Sequence, residues 1–313
     1  MIQFSLFIIG LIGLWTGTQW VVKSAIGIAK RFNLSHTFVG LAILAIGTDL
    51  PEIFVTINAA FLQLNGIESS GIITGNAIGS SISQISIILG LSALLMNFNI
   101  ARKDLLRDGT ALLGSILLLY IVGYDGIISR TDGSMLLLAY IIYYVVLSKS
   151  KSTKDYNNVS KQNYSNLKLA GFLAIGLVVL IVSSHFVVEN ARDFAKQWGV
   201  EQSFVGIILI GLGTSLPELS VSIAAAYKKS VGISVGNIIG SNIIDTVIPI
   251  GLGGSISEIA IDSNLLRFDL PILFGMTLLV LAFLNTKKGI HKMEAIILIV
   301  AYVLYVLAKI FLL

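Results

Sequence analysis

The sequence predicts an all-α integral membrane protein whose ten transmembrane helices form two inverted five-helix repeats. Three observations carry that reading. Of 313 residues, 55% are hydrophobic and only 12% charged, with a mean hydropathy of +0.90, whereas soluble domains carry about 25% charged residues. Apolar runs of about 18 residues or more, the length that reads as a membrane span, recur from end to end. A polar hexapeptide, GTDLPE at 47–52, returns as GTSLPE at 213–218 inside such runs.

In chain order, spans are expected at 2–29, 37–63, 71–97, 109–128 and 133–149, then at 168–190, 203–227, 232–255, 270–286 and 293–312. The opening segment lacks the basic start of a secretory signal and runs into a full-length apolar stretch, so it is expected to stay as span 1. The polar stretch SKSKSTKDYNNVSKQNYSNLK reads as a flexible linker. The domains are therefore a first repeat at 1–147, a linker at 148–168 and a second repeat at 169–313. Cysteine is absent, which excludes disulfide and thiol chemistry, and the net charge of +4 comes from basic residues in short loops, which suggests no nucleic-acid partner.

Lys and Arg in the loops set orientation. Fifteen lie on the side reached after spans 1, 3, 5, 7 and 9, including Lys30, Arg31, Arg102, Lys103, Arg107 and the linker lysines. Five, namely Arg130, Arg192, Lys196, Arg267 and Lys309, lie on the other, with Lys23 inside span 1. This places both termini outside the cell and the linker in the cytoplasm of a multi-pass cell-membrane protein.

The repeat extends beyond the hexapeptide. FVGLAILAIGTDLPE at 38–52 aligns with FVGIILIGLGTSLPE at 204–218 at an offset of 166, with eight of fifteen positions identical. GNAIGSSISQ at 75–84 aligns with GNIIGSNIID at 236–245 at an offset of 161, so the first half has five extra residues around Gln63–Ser70. An odd number of spans followed by its copy crosses the membrane in the opposite sense. Inverted repeats are an architecture of secondary transporters, whose sites lie near the midplane where broken helices of the two halves meet.

The repeated residues are the polar ones. Pro51 has no N–H and clashes with the carbonyl four residues back, so the helix should open near Gly47, and Pro217 should do the same to Gly213. Thr48 and Glu52 then share a face with the freed carbonyls, as do Thr214 and Glu218. The next span gives Asn76, Ser80 and Gln84 at steps of four, and its counterpart gives Asn237, Ser241 and Asp245. All of these offer oxygen and none offers sulfur or imidazole, which suits hard cations, Ca²⁺ above all. His36, His185 and His291 lie near span ends. Each charged side chain at the bilayer centre costs about 2.5–3.5 kcal/mol on insertion scales. Asp49, Glu52, Glu218 and Asp245 are therefore expected to be cation-loaded, protonated or hydrated.

GTDLPE with GNAIGSSISQ, repeated as GTSLPE with GNIIGSNIID, resembles the paired α-repeats of the calcium/cation antiporter superfamily, here about 38–90 and 204–252. The likeness covers essentially the whole chain and is nearest to the prokaryotic Na⁺/Ca²⁺ exchanger type. It implies a mid-membrane cluster of cation sites in spans 2, 3, 7 and 8. Glu52 and Glu218 would bind Ca²⁺ with the Thr48 and Thr214 carbonyls, while Ser80, Ser215, Ser241 and Asp245 would line monovalent-ion positions. Spans 1 and 6 would slide against this core. The chain departs from the pattern at Asp49, where serine is usual, and at Gln84, where asparagine is usual. Both positions belong to the coupling-ion sites. An added carboxylate is a natural proton carrier, so H⁺ is slightly favoured as counter-ion over Na⁺.

The expected function is thus exchange of Ca²⁺ for H⁺ or Na⁺ by a protein that needs no cofactor and works as a monomer in the lipid bilayer. A channel or uniporter could use the same oxygens, although one chain supplies both halves of the site. An intramembrane hydrolase is disfavoured: Asp125 of GYDG sits near a span end, and no Ser–His pair is placed for nucleophilic attack.

Overall fold

The computed structural model describes residues 2–95, 102–150, 165–197, 215–286 and 289–311. Among the described residues the regular structure is helical apart from one two-residue strand pair. The helices are α1 (Ile2–Arg31), α2 (His36–Thr48), α3 (Leu50–Leu64), α4 (Ser70–Leu95), α5 (Arg102–Val122), α6 (Arg130–Lys149), α7 (Asn166–Gln197), α8 (Leu216–Tyr227), α9 (Val231–Ile256), α10 (Leu270–Thr286) and α11 (Lys292–Phe311). Among the described residues eight helices are long and apolar enough to cross a membrane, and α2 with α3 makes a ninth if that bent pair is one span. The span expected at 203–227 enters the described residues only at Ser215.

Expected and observed boundaries differ where polar groups find local partners. The break expected near Gly47 falls at Asp49: α2 and α3 meet at 43°, with Asp49 at φ −80°, ψ 1° between them. Pro51 stands in the first turn of α3, where its missing N–H costs nothing. Ser215 (φ −87°, ψ 10°) and Pro217 start α8 in the same way. The bond from Ile53 N to Asp49 O, 3.1 Å, is repeated by Leu219 N to Ser215 O, 3.0 Å. The fourth span begins at Arg102 rather than near 109, because Arg107 pairs with Asp104 at 3.1 Å and Asp108 at 2.7 Å, which makes its charged first turns compatible with a helix. A capping box of Ser129 and Asp132 starts α6 at Arg130. The expected linker is shorter than its polar composition suggests, since α6 runs to Lys149, α7 starts at Asn166, and residues 151–164 lie outside those described.

Buried almost throughout, α9 is the central post, against which α2, α3, α4, α5, α6 and α8 pack. Glycines let α2 and α9 touch through their backbones: a Cβ on Gly236 would stand 2.6 Å from the Thr37 carbonyl oxygen, and one on Gly40 2.7 Å from that of Ile233. Membrane helices associate through such close small-residue contacts. A second apolar cluster joins α1 to α7, α2 and α8, with Val21, Val22 and Ala25 packed among Leu180, Val39, Leu44, Val221 and Ala225, and a Cβ on Gly17 would stand 3.0 Å from Gly176 O.

Connections collect at two ends. At one, β1 (Ile127–Ile128) pairs antiparallel with β2 (Ile259–Ala260), and the Gln63 amide donates to Glu258 O while its oxygen accepts from Ser69 N and Ser70 Oγ. The α3–α4, α5–α6 and α9–α10 connections thus meet, and the five extra residues of the first half lie in this junction. At the other end, Ser230 Oγ and His36 Nδ1 are 2.8 Å apart and Arg107 donates to Ser150 Oγ at 2.7 Å. Outside the GT(D/S)LPE region a further correspondence occurs: Tyr143 donates to Asp108 at 3.2 Å, and Tyr305 donates to Asp269 at 2.9 Å.

Because overpacking a tight crossing costs about 1–3 kcal/mol, Gly236→Val should lower the thermal midpoint of the detergent-solubilised protein by several degrees. Gly114→Ala, with nothing within 4 Å of the added carbon, should leave it unchanged or raise it. Equal midpoints for the two variants would contradict the α2–α9 contact.

Candidate cation site

The two proline-started helices carry the acids. Asp49 lies at the α2–α3 bend, Glu52 in the first turn of α3, and Glu218 in the first turn of α8. All three are fully buried. Each offers a carboxylate oxygen, and these oxygens lie within 4.8 Å of one another. Glu52 and Glu218 are placed in the first turns of their helices, where the helix dipole favours negative charge. The same prolines that start the helices therefore help to hold the charges.

The buried ion pairs of the described residues serve other acids: Arg107 holds Asp104 and Asp108, and Lys309 holds Asp269. Both oxygens of Asp49 and of Glu218 are left without a hydrogen bond of normal geometry. A buried charge must be paired, neutralised or coordinated to a metal. Three carboxylates converging on one point, with no nitrogen or sulfur ligand among them, form an oxygen cradle for a hard cation.

Around the acids, α4 and α9 supply amides and hydroxyls, all buried. Thr48 Oγ1 donates to Leu44 O at 3.1 Å and lies 3.4 Å from Asn237 Oδ1. The Asn237 amide nitrogen lies 3.4 Å from Ser222 Oγ. Gln84 Nε2 donates to Asp245 Oδ2 at 2.9 Å, and Asn242 Nδ2 donates to Gln84 Oε1 at 3.1 Å. Ser241 and Asp49 face each other. Ser80 and Ser215 are buried in the same shell, Ser215 with Ser83 Oγ at 3.4 Å.

Of the residues singled out from the sequence, Asp49, Glu52 and Glu218 are brought together, Ser241 faces Asp49, and Thr48, Ser80, Gln84, Ser215, Asn237 and Asp245 are buried on the neighbouring helices. Asp245 is turned to Gln84 and is not one of the three converging acids. The amide nitrogen of Asn76 is buried without a partner. Gly213 and Thr214 lie outside the described residues. Sequence reading missed Ser83, Ser222 and Asn242, and Tyr140 of α6, which lies close enough to Asp49 to feel its charge. Ser83 and Asn242 each sit one residue off a stripe read in steps of four. They stand inside the repeated strings GSSISQ and GSNIID, where pairing the polar positions matches Asn242 with Ser81, while Ser83 falls opposite Ile244 and has no polar counterpart.

Comparison with known proteins follows the same lines. The family model described as sodium/calcium exchanger protein matches residues 2–149 and 168–311. An uncharacterized membrane protein of Methanocaldococcus jannaschii is 34% identical over 298 residues, 95% of each chain. The sodium/calcium exchanger MaX1 of Methanosarcina acetivorans is 28% identical over 345 residues, 97% of each chain. Among solved structures, the sodium-calcium exchanger NCX_Mj soaked with 2.5 mM Na⁺ and 0.1 mM Ca²⁺ superposes with a TM-score of 0.85 at 31% identity, covering 100% of this chain and 99% of that one.

Clustered like charges make the cation-free site a source of instability. With a chelator present at pH 8, Glu218→Gln should melt a few degrees above the unaltered protein, because one repulsive buried charge is gone. The rise in midpoint on adding Ca²⁺ should shrink in the same variant. A variant less stable than the parent in chelator, yet equally stabilised by Ca²⁺, would contradict the electrostatic picture.

Proposed function

The chain belongs to the sodium/calcium exchanger protein family, one of transporters and not of enzymes, and on that premise we propose that it exchanges Ca²⁺ for H⁺ across the cell membrane by alternating access. The observation that carries this reading is the set of three buried carboxylates whose oxygens lie within 4.8 Å of one another. Ca²⁺ collects six to eight oxygens in flexible geometry. Asp49, Glu52 and Glu218 offer up to six, and the backbone carbonyls of Thr48 and Thr214 would add to them.

When Ca²⁺ leaves, its charge must be replaced before the site crosses a low-dielectric barrier. Asp49 is the element that favours H⁺: it adds a proton-accepting carboxylate where serine would offer only a hydroxyl. Na⁺ in the same positions, lined by Ser80, Ser215 and Ser241, is the alternative counter-ion. A channel is disfavoured because the carboxylates cluster within a single chain, enclosed on all sides, rather than around an open axis.

The rest of the transporter reading follows from the chain's duplication. Residues 1–147 and 169–313 are two inverted repeats of five spans each, giving ten. Support comes from the repeated motifs, the matching helix starts after Asp49 and Ser215, and the Asp108–Tyr143 and Asp269–Tyr305 pairs at corresponding places. The end where β1 meets β2 is extracytoplasmic and the Lys- and Arg-rich end is cytoplasmic, with both termini outside. Motion is assigned to α1 and α7, which meet through Gly13, Gly17 and Gly176 and rest on α2 and α8 through apolar contacts, among them Val39, Leu44, Val221 and Ala225.

Purified protein in liposomes should take up radioactive Ca²⁺ against its gradient when a pH gradient is imposed, without Na⁺. Uptake only under a Na⁺ gradient would replace H⁺ by Na⁺ in the account, and uptake running only downhill would make the protein a uniporter. Glu52→Gln and Glu218→Gln should each reduce exchange at least about 100-fold, the order of loss when a group essential to a site is removed. Full exchange in either would rule out the acid site.

A further inference from the structure

Asp245 is as buried as Asp49, Glu52 and Glu218, yet it does not share their convergence. Its Oδ2 accepts a hydrogen bond from Gln84 Nε2 at 2.9 Å. The orientation of that amide follows from its other end. Asn242 Nδ2 donates to the backbone carbonyl of Ile238 at 3.0 Å, an oxygen that can only accept. The nitrogen of Asn242 therefore faces Gln84, 3.1 Å away, so Gln84 turns its oxygen to Asn242 and its nitrogen to Asp245. Gln84 opens a π turn at Gln84–Ile88, a local widening that often marks a functional position. An asparagine there would fall short of Asp245 by about one C–C bond, about 1.5 Å.

We propose that the Gln84 carboxamide stands in for a cation at Asp245, so that the protein returns one fewer counter-ion per Ca²⁺ than the four acids of the site would otherwise take. This rests on the exchange reading above. The amide donates a charge-assisted hydrogen bond to the carboxylate and is itself held by Asn242. A cation entering beside Asp245 would displace that donor and strand a buried amide without a partner, which is costly. Asp245 Oδ1 remains without a hydrogen bond, while Ser241 faces Asp49. One free oxygen is far fewer than a hard cation collects. Gln84 is thus a positioning residue that sets the exchange ratio through Asp245.

The test is the coupling ratio, a quantity that mere loss of packing does not change. Liposomes holding the full-length protein are given a fixed Ca²⁺ gradient, and the opposing gradient of the driving counter-ion is varied until net Ca²⁺ flux stops. Gln84→Ala should raise the number of counter-ions per Ca²⁺ by one, and Gln84→Asn should do the same because its amide does not reach. Asp245→Asn with Gln84 intact should keep the original ratio, and the Gln84→Ala/Asp245→Asn double variant should return to it. An unchanged ratio in Gln84→Ala would overturn the proposal. So would a lowered ratio or loss of exchange in Asp245→Asn with Gln84 intact, since either would show Asp245 already holding a counter-ion. If Gln84→Ala fails to fold, the Asp245→Asn arm still decides. Liposomes of the unaltered protein that move no Ca²⁺ against its gradient under any counter-ion would overturn the exchange reading, and this inference with it.

Discussion

Like charges forced together away from water are the constraint on which the rest of this protein depends. Carboxylate oxygens of Asp49, Glu52 and Glu218 within 4.8 Å of one another repel by about 3–4 kcal/mol per pair at an effective dielectric of about 20. Whole domains are stable by about 5–15 kcal/mol, so the fold tolerates such a cluster only with a cation, protons or both in it. That requirement makes binding and release obligatory parts of the protein's working state.

Local structure meets the constraint with few elements. Pro51 and Pro217 start helices that carry Glu52 and Glu218 in their first turns, at the positive end of the helix dipole. Glycines at 40 and 236 bring α2 and α9 into backbone contact, which fixes the Asp49 bend against the stripe of Asn237, Ser241 and Asp245. The post, α9, is closed in by neighbours, while the apolar cluster of α1 and α7 also takes in Val39 and Leu44 of α2 and Val221 and Ala225 of α8.

Much of this was legible in the sequence. Low charge and long apolar runs indicate membrane helices, Pro51 and Pro217 mark where they break, and the repeated acids mark where the two halves meet. What was not legible depends on one helix facing another. The Gln84–Asp245 bond joins residues 161 apart, through a π turn that no local pattern announces. Asn242 was overlooked because an ideal stripe in steps of four skips it. The early start of α5 was missed because Arg102, Asp104, Arg107 and Asp108 read as loop charges until Arg107 is seen paired to both acids.

The central claim is that a divalent cation sits among Asp49, Glu52 and Glu218. The most direct measurement is a crystal soaked in Sr²⁺, chosen as a strong anomalous scatterer that takes the same kind of oxygen ligands as Ca²⁺, with anomalous differences collected at its absorption edge. The account predicts a peak within coordination distance of all three carboxylates, absent from a Glu52→Gln/Glu218→Gln crystal soaked in the same way. A peak elsewhere in the membrane region, with none among these acids, would contradict it.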